Sequence, residues 1–303
     1  MTQVKTTYRH VYIIGCGDIG LRVATRWQQR QLTVSAVVRS AASMQRLRNH
    51  AVTAIACDLS QTSCCLPRLE HASLIYYFAP PPATGQHDSH CRQLLYCLDE
   101  QATKPLRIVA ISTTGVYGDR GGEWVTEDAP PNPQVDRARR RYDMECQLRQ
   151  WCEQHAVDLI ILRVGGIYGP GRLPLERIKN GVPILQEQLA PKTNRIHADD
   201  LADICVAAAQ VDQRYRVYNV SDGTDSNMSE YFLTLADYFG LPRPPQVDWA
   251  EAERVMSAGM LSYLRESRRV SNSRMLQELN VSLRYPDLVS GLQSCKQKTN
   301  AGE

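Results

Sequence analysis

The stretch VYIIGCGDIGLRVATRW, Val11–Trp27, constrains the fold more than any other segment. Four apolar residues, the length of a buried strand, run into Gly15, Gly17 and Gly20, and a polar–apolar pattern with helical spacing follows. In a strand–turn–helix unit each glycine of G-x-G-x-x-G has a separate task. Gly15 permits the tight turn, Gly17 lets the backbone approach a pyrophosphate, and Gly20 lets the helix close on the strand. The helix start then offers unpaired N–H groups and a positive dipole end to phosphates. Gly15, Cys16, Gly17, Asp18, Ile19 and Gly20 are therefore read as a dinucleotide cradle.

The pattern continues beyond the corner. Val11–Ile14, Thr33–Val38, Thr53–Ala56, Leu74–Phe78, Ile108–Ser112 and Leu159–Leu162 are nearly continuous apolar runs, as strands buried on both faces are. Helical patterns over Gly20–Arg30, Ala42–His50, Cys91–Glu100 and Arg137–Gln154 alternate with them. This alternation predicts an α/β fold, a doubly wound parallel sheet of the Rossmann type, with a smaller C-terminal substrate domain. Residues 1–168 form the expected nucleotide-binding domain. The chain returns to it over about 196–222, and 169–195 with 223–303 make up the substrate side. With 303 residues, 43% of them apolar, a sizeable core is available.

Which dinucleotide is bound is read at the end of the second strand, where an acid favours NAD and an arginine the 2′-phosphate of NADP. Here SAVVRSAAS places Arg39 and Ser40 there with no acid nearby, so NADP(H) is expected over NAD(H). Asp58, after the third strand, reads equally as an acceptor for the adenine amino group or as a helix N-cap. Phe78, Ala79 and Pro80, in YYFAPPP, are expected beside the phosphates and ribose.

Further motifs identify a family. VAISTTGVYGD (Val109–Asp119), LIILRVGGIYGPGR (Leu159–Arg172) and RIHADDLA, together with the glycine corner, resemble the extended short-chain dehydrogenase/reductase superfamily, which contains NAD-dependent epimerases and dehydratases of nucleotide sugars. The GxGxxG spacing is that of an atypical branch; most catalytic extended members carry GxxGxxG. The resemblance implies a Ser or Thr that holds the substrate oxygen, a Tyr that exchanges its proton, and a Lys that holds the ribose. Thr113 matches the hydroxyl position, with Ser112 beside it on the cofactor side and Thr114 next. Glu145 matches the Glu that follows the Lys by four residues, so Arg141 stands at the Lys position and Arg137 at the Tyr position. Arginine keeps its proton at neutral pH and is no general acid. Arg141 still offers charge towards the ribose, and Arg137 suits an anionic substrate or a phosphate. Tyr142 is the nearest tyrosine, but Cys146 occupies the position where its Lys would be needed. Tyr117, Tyr168, Arg163 and His197 with Asp199 and Asp200 are read as packing residues, while Asn219 and Asp222 fall near the expected cleft.

Two functions follow. One is an NADP(H)-binding epimerase-like or oxidoreductase enzyme without the YxxxK pair, acting on a small, anionic molecule. The other is a non-catalytic dinucleotide-binding redox sensor. A net charge of +3 argues against a nucleic-acid partner. No apolar run approaches the ~20 residues of a membrane span, and the N-terminal residues lack a signal-peptide pattern, so a cytoplasmic protein is expected. The family implies a homodimer. None of the ten cysteines forms a CxxC pair, so reduced structural thiols and no metal site are expected.

Overall fold

The computed structural model describes residues 8–63 and 66–299. Seven strands form one sheet: β1 His10–Ile14, β2 Thr33–Val38, β3 Thr53–Ala56, β4 Ser73–Tyr77, β5 Arg107–Thr113, β6 Asp158–Val164 and β7 Tyr215–Val220. Every pairing is parallel, in the order β7-β6-β5-β4-β1-β2-β3. The sheet is the doubly wound type expected from the alternation. Its order reverses between β1 and β4, and a crevice opens at such a switch point beyond the carboxyl ends of the strands.

Successive side chains of a strand point to opposite faces, which explains why the apolar runs are unbroken. Val11 and Ile13 join Val34, Ala36, Tyr76 and Ile160 in one buried layer. Tyr12 and Ile14 join Val37, Ile75, Tyr77 and Ile161 in the other. The first layer is covered by α1 (Asp18–Gln28) through Val23, Ala24 and Trp27, and by the helix Ala198–Ala208 through Leu201 and Cys205. The second is covered by α3 (Ser89–Asp99) and α4 (Asp136–His155) through Leu94, Leu98, Met144 and Leu148. α2 is Ala41–Arg48. Polar atoms within the first layer are satisfied: Trp27 Nε1 donates to Tyr76 Oη at 2.9 Å, and Tyr76 donates to the Cys205 carbonyl at 3.0 Å.

The segments beyond β6 are tied on by short pairings. Gly166–Tyr168 runs beside Arg195–His197, Lys192–Thr193 beside Ser226–Asn227, and Trp124–Val125 beside Arg269–Val270. The helix Met228–Phe239 builds a separate apolar cluster with Ile178, Ile184 and Leu292. The helix Ser273–Leu279, read with the substrate side, packs on the sheet instead: Met275 and Leu279 belong to the first layer, and Glu278 pairs with Arg216 of β7. No helix among the described residues is long and apolar enough to cross a membrane.

Candidate functional site

The glycine corner lies at the switch point. Gly15 follows β1 with φ +88°, and a Cβ there would sit 2.4 Å from the backbone of Ala79, which follows β4. Only glycine satisfies both constraints. Gly17 caps α1 with extended backbone and no side-chain cap bond. Its Cβ would meet nothing within 4 Å, so the turn leaves an open cradle facing the helix N-terminus. Gly20 is tight, with Cys16 Sγ at 3.0 Å and Ile13 Cγ2 at 3.2 Å from its would-be Cβ.

A cavity of about 320 Å³ opens over this corner. It gathers Gly15, Cys16, Gly17, Arg39, Ser40, Asp58, Phe78, Ala79 and Pro80, nine of the thirteen cofactor-side residues named from the sequence. Asp18, Ile19, Gly20 and Ser112 line other surroundings. Asp18 pairs with Arg22 and Arg172 at 3.1 and 3.2 Å. Ile19 packs in the first apolar layer. Ser112 is buried and donates to Glu145 Oε1 at 2.5 Å. Ser40 is the N-cap of α2, accepting from the Ser43 N–H at 3.2 Å. Asp58 caps a turn rather than a helix, accepting from the Ser60 N–H at 3.0 Å, and that hydrogen bond holds its carboxyl below the usual range.

Among the lining residues that escaped the sequence reading, Ser43, Arg46 and His90 carry polar side chains. Arg46 lies one turn along α2 from Ala42 and reaches back to donate to the Cys16 carbonyl at 3.0 Å. Its signal was its position, since Arg39, just before α2, and Ser43 and Arg46 on the helix all line the same opening. Cys57 also lines the cavity and is disulfide-bonded, which corrects the expectation of reduced thiols throughout. A search for CxxC spacing is blind to a bond formed at any other spacing. Cys16, Cys91, Cys146, Cys152 and Cys205 are free thiols, and burial pushes Cys16 up to about 12. Cys64 and Cys65 lie outside the described residues. No cluster of metal-ligating side chains occurs among the described residues.

The family-matched positions also meet. Thr113 ends β5 and caps the turn Thr114–Tyr117, accepting from the Gly115 N–H at 3.1 Å. With Arg137 and Arg141 it lines a cavity of about 240 Å³. Arg141 is half-buried, donates to the Ala79 carbonyl at 3.1 Å, and so bridges this cavity to the glycine corner. Burial lowers its pKa from the ordinary arginine value. Arg137 donates to Ser262 Oγ at 2.6 Å and stacks 3.7 Å above the Tyr263 ring. Thr113, Tyr263, Glu266 and Arg268 continue into a larger cavity of about 470 Å³, walled by Tyr168, Arg195 and Tyr231. Tyr142 packs with Val116 and Val125 and lines neither cavity.

The residues read as structural have structural partners. Glu145 is buried, bonded to Ser112 and to Arg163 at 2.7 Å, and Arg163 stacks over Tyr117. Burial works against the Arg163 charge, and the Glu145 hydrogen bonds and charge more than offset it, so its pKa stands above the ordinary value. His197 caps the helix Ala198–Ala208 and meets Ser294 Oγ at 3.0 Å. Asp199 binds Arg22 at 2.6 Å, and Asp200 accepts from the Arg284 and Tyr285 N–H groups. Tyr168 donates to the Asp287 carbonyl. Asn219 accepts from Tyr117 Oη at 2.7 Å, and Asp222 accepts from the Thr224 N–H at 2.9 Å; neither lines the cavities.

Comparison with known proteins agrees with this geometry. The model of the NAD dependent epimerase/dehydratase family matches residues 11–221. An uncharacterised protein of Sinorhizobium fredii, y4nG, is 27% identical over 150 residues, covering 46% of this chain and 37% of its own length. The chain thus spans little more than a third of that curated relative. A functionally unknown conserved protein from Silicibacter pomeroyi superposes with a TM-score of 0.80 at 26% identity, over 95% of this chain and 98% of its own. A UDP-glucuronic acid 4-epimerase from Bacillus cereus, solved in complex with NAD, superposes with a TM-score of 0.74 at 17% identity, over 95% and 99% of the two chains.

Proposed function

Because the chain belongs to the NAD dependent epimerase/dehydratase family, we propose that it is an NADP(H)-linked, epimerase-like oxidoreductase that acts on a small anionic molecule in the cavities beside Thr113. The observation that carries the nucleotide choice is Arg39. It stands exposed at the end of β2, lines the glycine-corner cavity, and has no ion-pair partner among the described residues. Arg46 and the hydroxyls of Ser40 and Ser43 share that wall, a donor set suited to a phosphate monoester on the ribose.

A bound nicotinamide nucleotide supplies or accepts the hydride. The chain's own residues do the rest. The Gly15–Gly17 turn and the start of α1 hold the pyrophosphate. Arg141, fixed on the Ala79 carbonyl, brings positive charge to the passage between nucleotide and substrate. Thr113, which lines both the smaller and the larger cavity, orients the substrate oxygen. A guanidinium does not exchange protons at neutral pH, so the positions of Arg137 and Arg141 bind and orient rather than relay protons.

Titration with both nucleotides tests the assignment. Arg39→Ala is expected to weaken NADPH at least about tenfold, the loss of one or two charge-assisted bonds, and to leave NADH nearly unchanged. Equal losses for the two would refute the 2′-phosphate role. Arginine at both motif-matched positions also favours the second reading, a redox sensor without turnover. A screen of carbonyl and nucleotide-sugar substrates at saturating NADPH separates the two: turnover that Thr113→Ala abolishes marks an enzyme, and nucleotide-dependent capture of a protein partner without turnover marks a sensor.

A further inference from the structure

The larger cavity has one cation on its wall, Arg195, with no ion-pair partner among the described residues. Arg195 begins the short strand Arg195–His197, is only 7% exposed, and lines the 470 Å³ space. Its Nη1 donates to Ser226 Oγ at 2.9 Å, and its guanidinium lies 4.0 Å from the centre of the Tyr231 ring. Among the described residues no carboxylate stands within ion-pair distance of it. Asp222 and Glu230 act only from farther away, and burial has the larger effect, lowering its pKa.

The other cations of the cavity are matched. Arg172 pairs with Asp18 at 3.2 Å, Lys192 with Asp225 at 2.6 Å, and Arg268 with Glu266 at 2.9 Å. Two residues before Arg195 in the chain, Thr193 lines the same space, and its Oγ1 is buried with no hydrogen-bond partner among the described residues. A buried cation without a counter-charge costs several kcal/mol, and an orphaned buried hydroxyl adds to that. Both costs are removed at once by an anion that accepts from the two groups.

We infer that Arg195 and Thr193 form an oxyanion site, which holds a phosphate or carboxylate group of the substrate while Thr113, on the lining of the same cavity, meets its reacting oxygen. The inference rests on the proposed reading of this cavity as the substrate cleft. It adds the group by which the substrate is gripped. Each half of the site has a simple chemical reason. The planar guanidinium offers paired donors that match an oxyanion, and the Tyr231 ring holds that plane in place.

The test is calorimetric titration of the full chain with inorganic phosphate and, separately, with malonate, at constant ionic strength, with and without saturating NADPH. Saturable binding of at least one probe is expected, and it should persist with NADPH present. Binding at the glycine corner alone would vanish under NADPH and would overturn the site. Phosphate alone binding marks a phosphoryl substrate, and malonate alone a carboxylate; both support the site. Arg195→Met should weaken the bound probe at least about tenfold, and Thr193→Val roughly fivefold, with NADPH affinity unchanged. Thr193→Val removes no hydrogen bond of the fold, so it decides the matter even if Arg195→Met does not fold. Neither probe binding, or probe affinity unmoved in both variants, would overturn the proposal. NADPH binding without oxyanion binding defeats this site alone, whereas oxyanion binding with these losses but no NADPH binding defeats the nucleotide reading alone.

Discussion

At the scale of single residues, the three glycines separate folding from binding. Gly15 is demanded by the fold: its φ is +88° and a Cβ would collide with Ala79 at 2.4 Å. Gly15→Ala should therefore cost at least about 2 kcal/mol in urea unfolding, from backbone strain and overlap together. Gly17 is not demanded by the fold, since its Cβ would enter open space, and the proposed nucleotide site gives it its task. Gly17→Ala should unfold within about 0.5 kcal/mol of the parent and still bind nucleotide markedly less well. A Gly17→Ala protein with full nucleotide affinity would remove the cradle from the account. Asp222 gives a pH signature. Burial pushes its carboxyl up to about 6, against the hydrogen bonds from Thr224, whereas the unfolded chain releases that proton near the ordinary value of 3.8. Between those values the folded protein holds a proton that the unfolded chain has lost. Stability from this group is thus full below about 4 and lost as pH rises through about 6. Asp222→Asn should stabilise the protein by about 1–3 kcal/mol at pH 8, with the gain disappearing near pH 4 in thermal or urea melts.

At the scale of elements, helix α4 carries the site because of what it buries. Glu145, one turn beyond Arg141, locks the helix to β5 through Ser112 and to β6 through Arg163. Removing that carboxylate leaves a buried guanidinium uncompensated. Glu145→Ala is expected to destabilise by about 3–5 kcal/mol in urea, and a cost under about 1 kcal/mol would show that the network does not hold the helix. The elements themselves were legible. Thr33–Val38 and Thr53–Ala56 fall where the apolar runs placed them, and β1, β4, β5 and β6 differ only at their ends. The end residues were missed for a physical reason. Phe78 is apolar like its strand, but its N–H goes to the Ile14 carbonyl at 2.8 Å as the chain turns across the corner. Likewise α1 starts at Asp18 and not at Gly20, because its first turn is set by the Gly17 cap, which hydrophobic spacing does not register.

At the scale of the whole molecule, legibility divides along the sheet. The glycine-corner cavity is built mostly from residues that end or follow a strand, so a strand-by-strand reading finds most of them and misses Ser43, Arg46 and His90 on the helices. The larger cavity is not legible in this way. Thr113, Arg195, Tyr231 and Glu266 come from four distant segments, and only the folded chain puts them on one wall. The short pairings of Lys192–Thr193 with Ser226–Asn227 and of Trp124–Val125 with Arg269–Val270 bring them together, and two-residue strands leave no periodic trace. The proposed function stands or falls on whether the switch-point cavity holds NADP(H). Its most direct test is a fluorescence titration of purified, nucleotide-stripped protein with NADPH and with NADH. The structure of the corner, with Arg39 and Arg46 on its wall, predicts saturable binding of both and tighter binding of NADPH by at least about tenfold. Saturation by neither nucleotide would contradict the claim and withdraw the site with it.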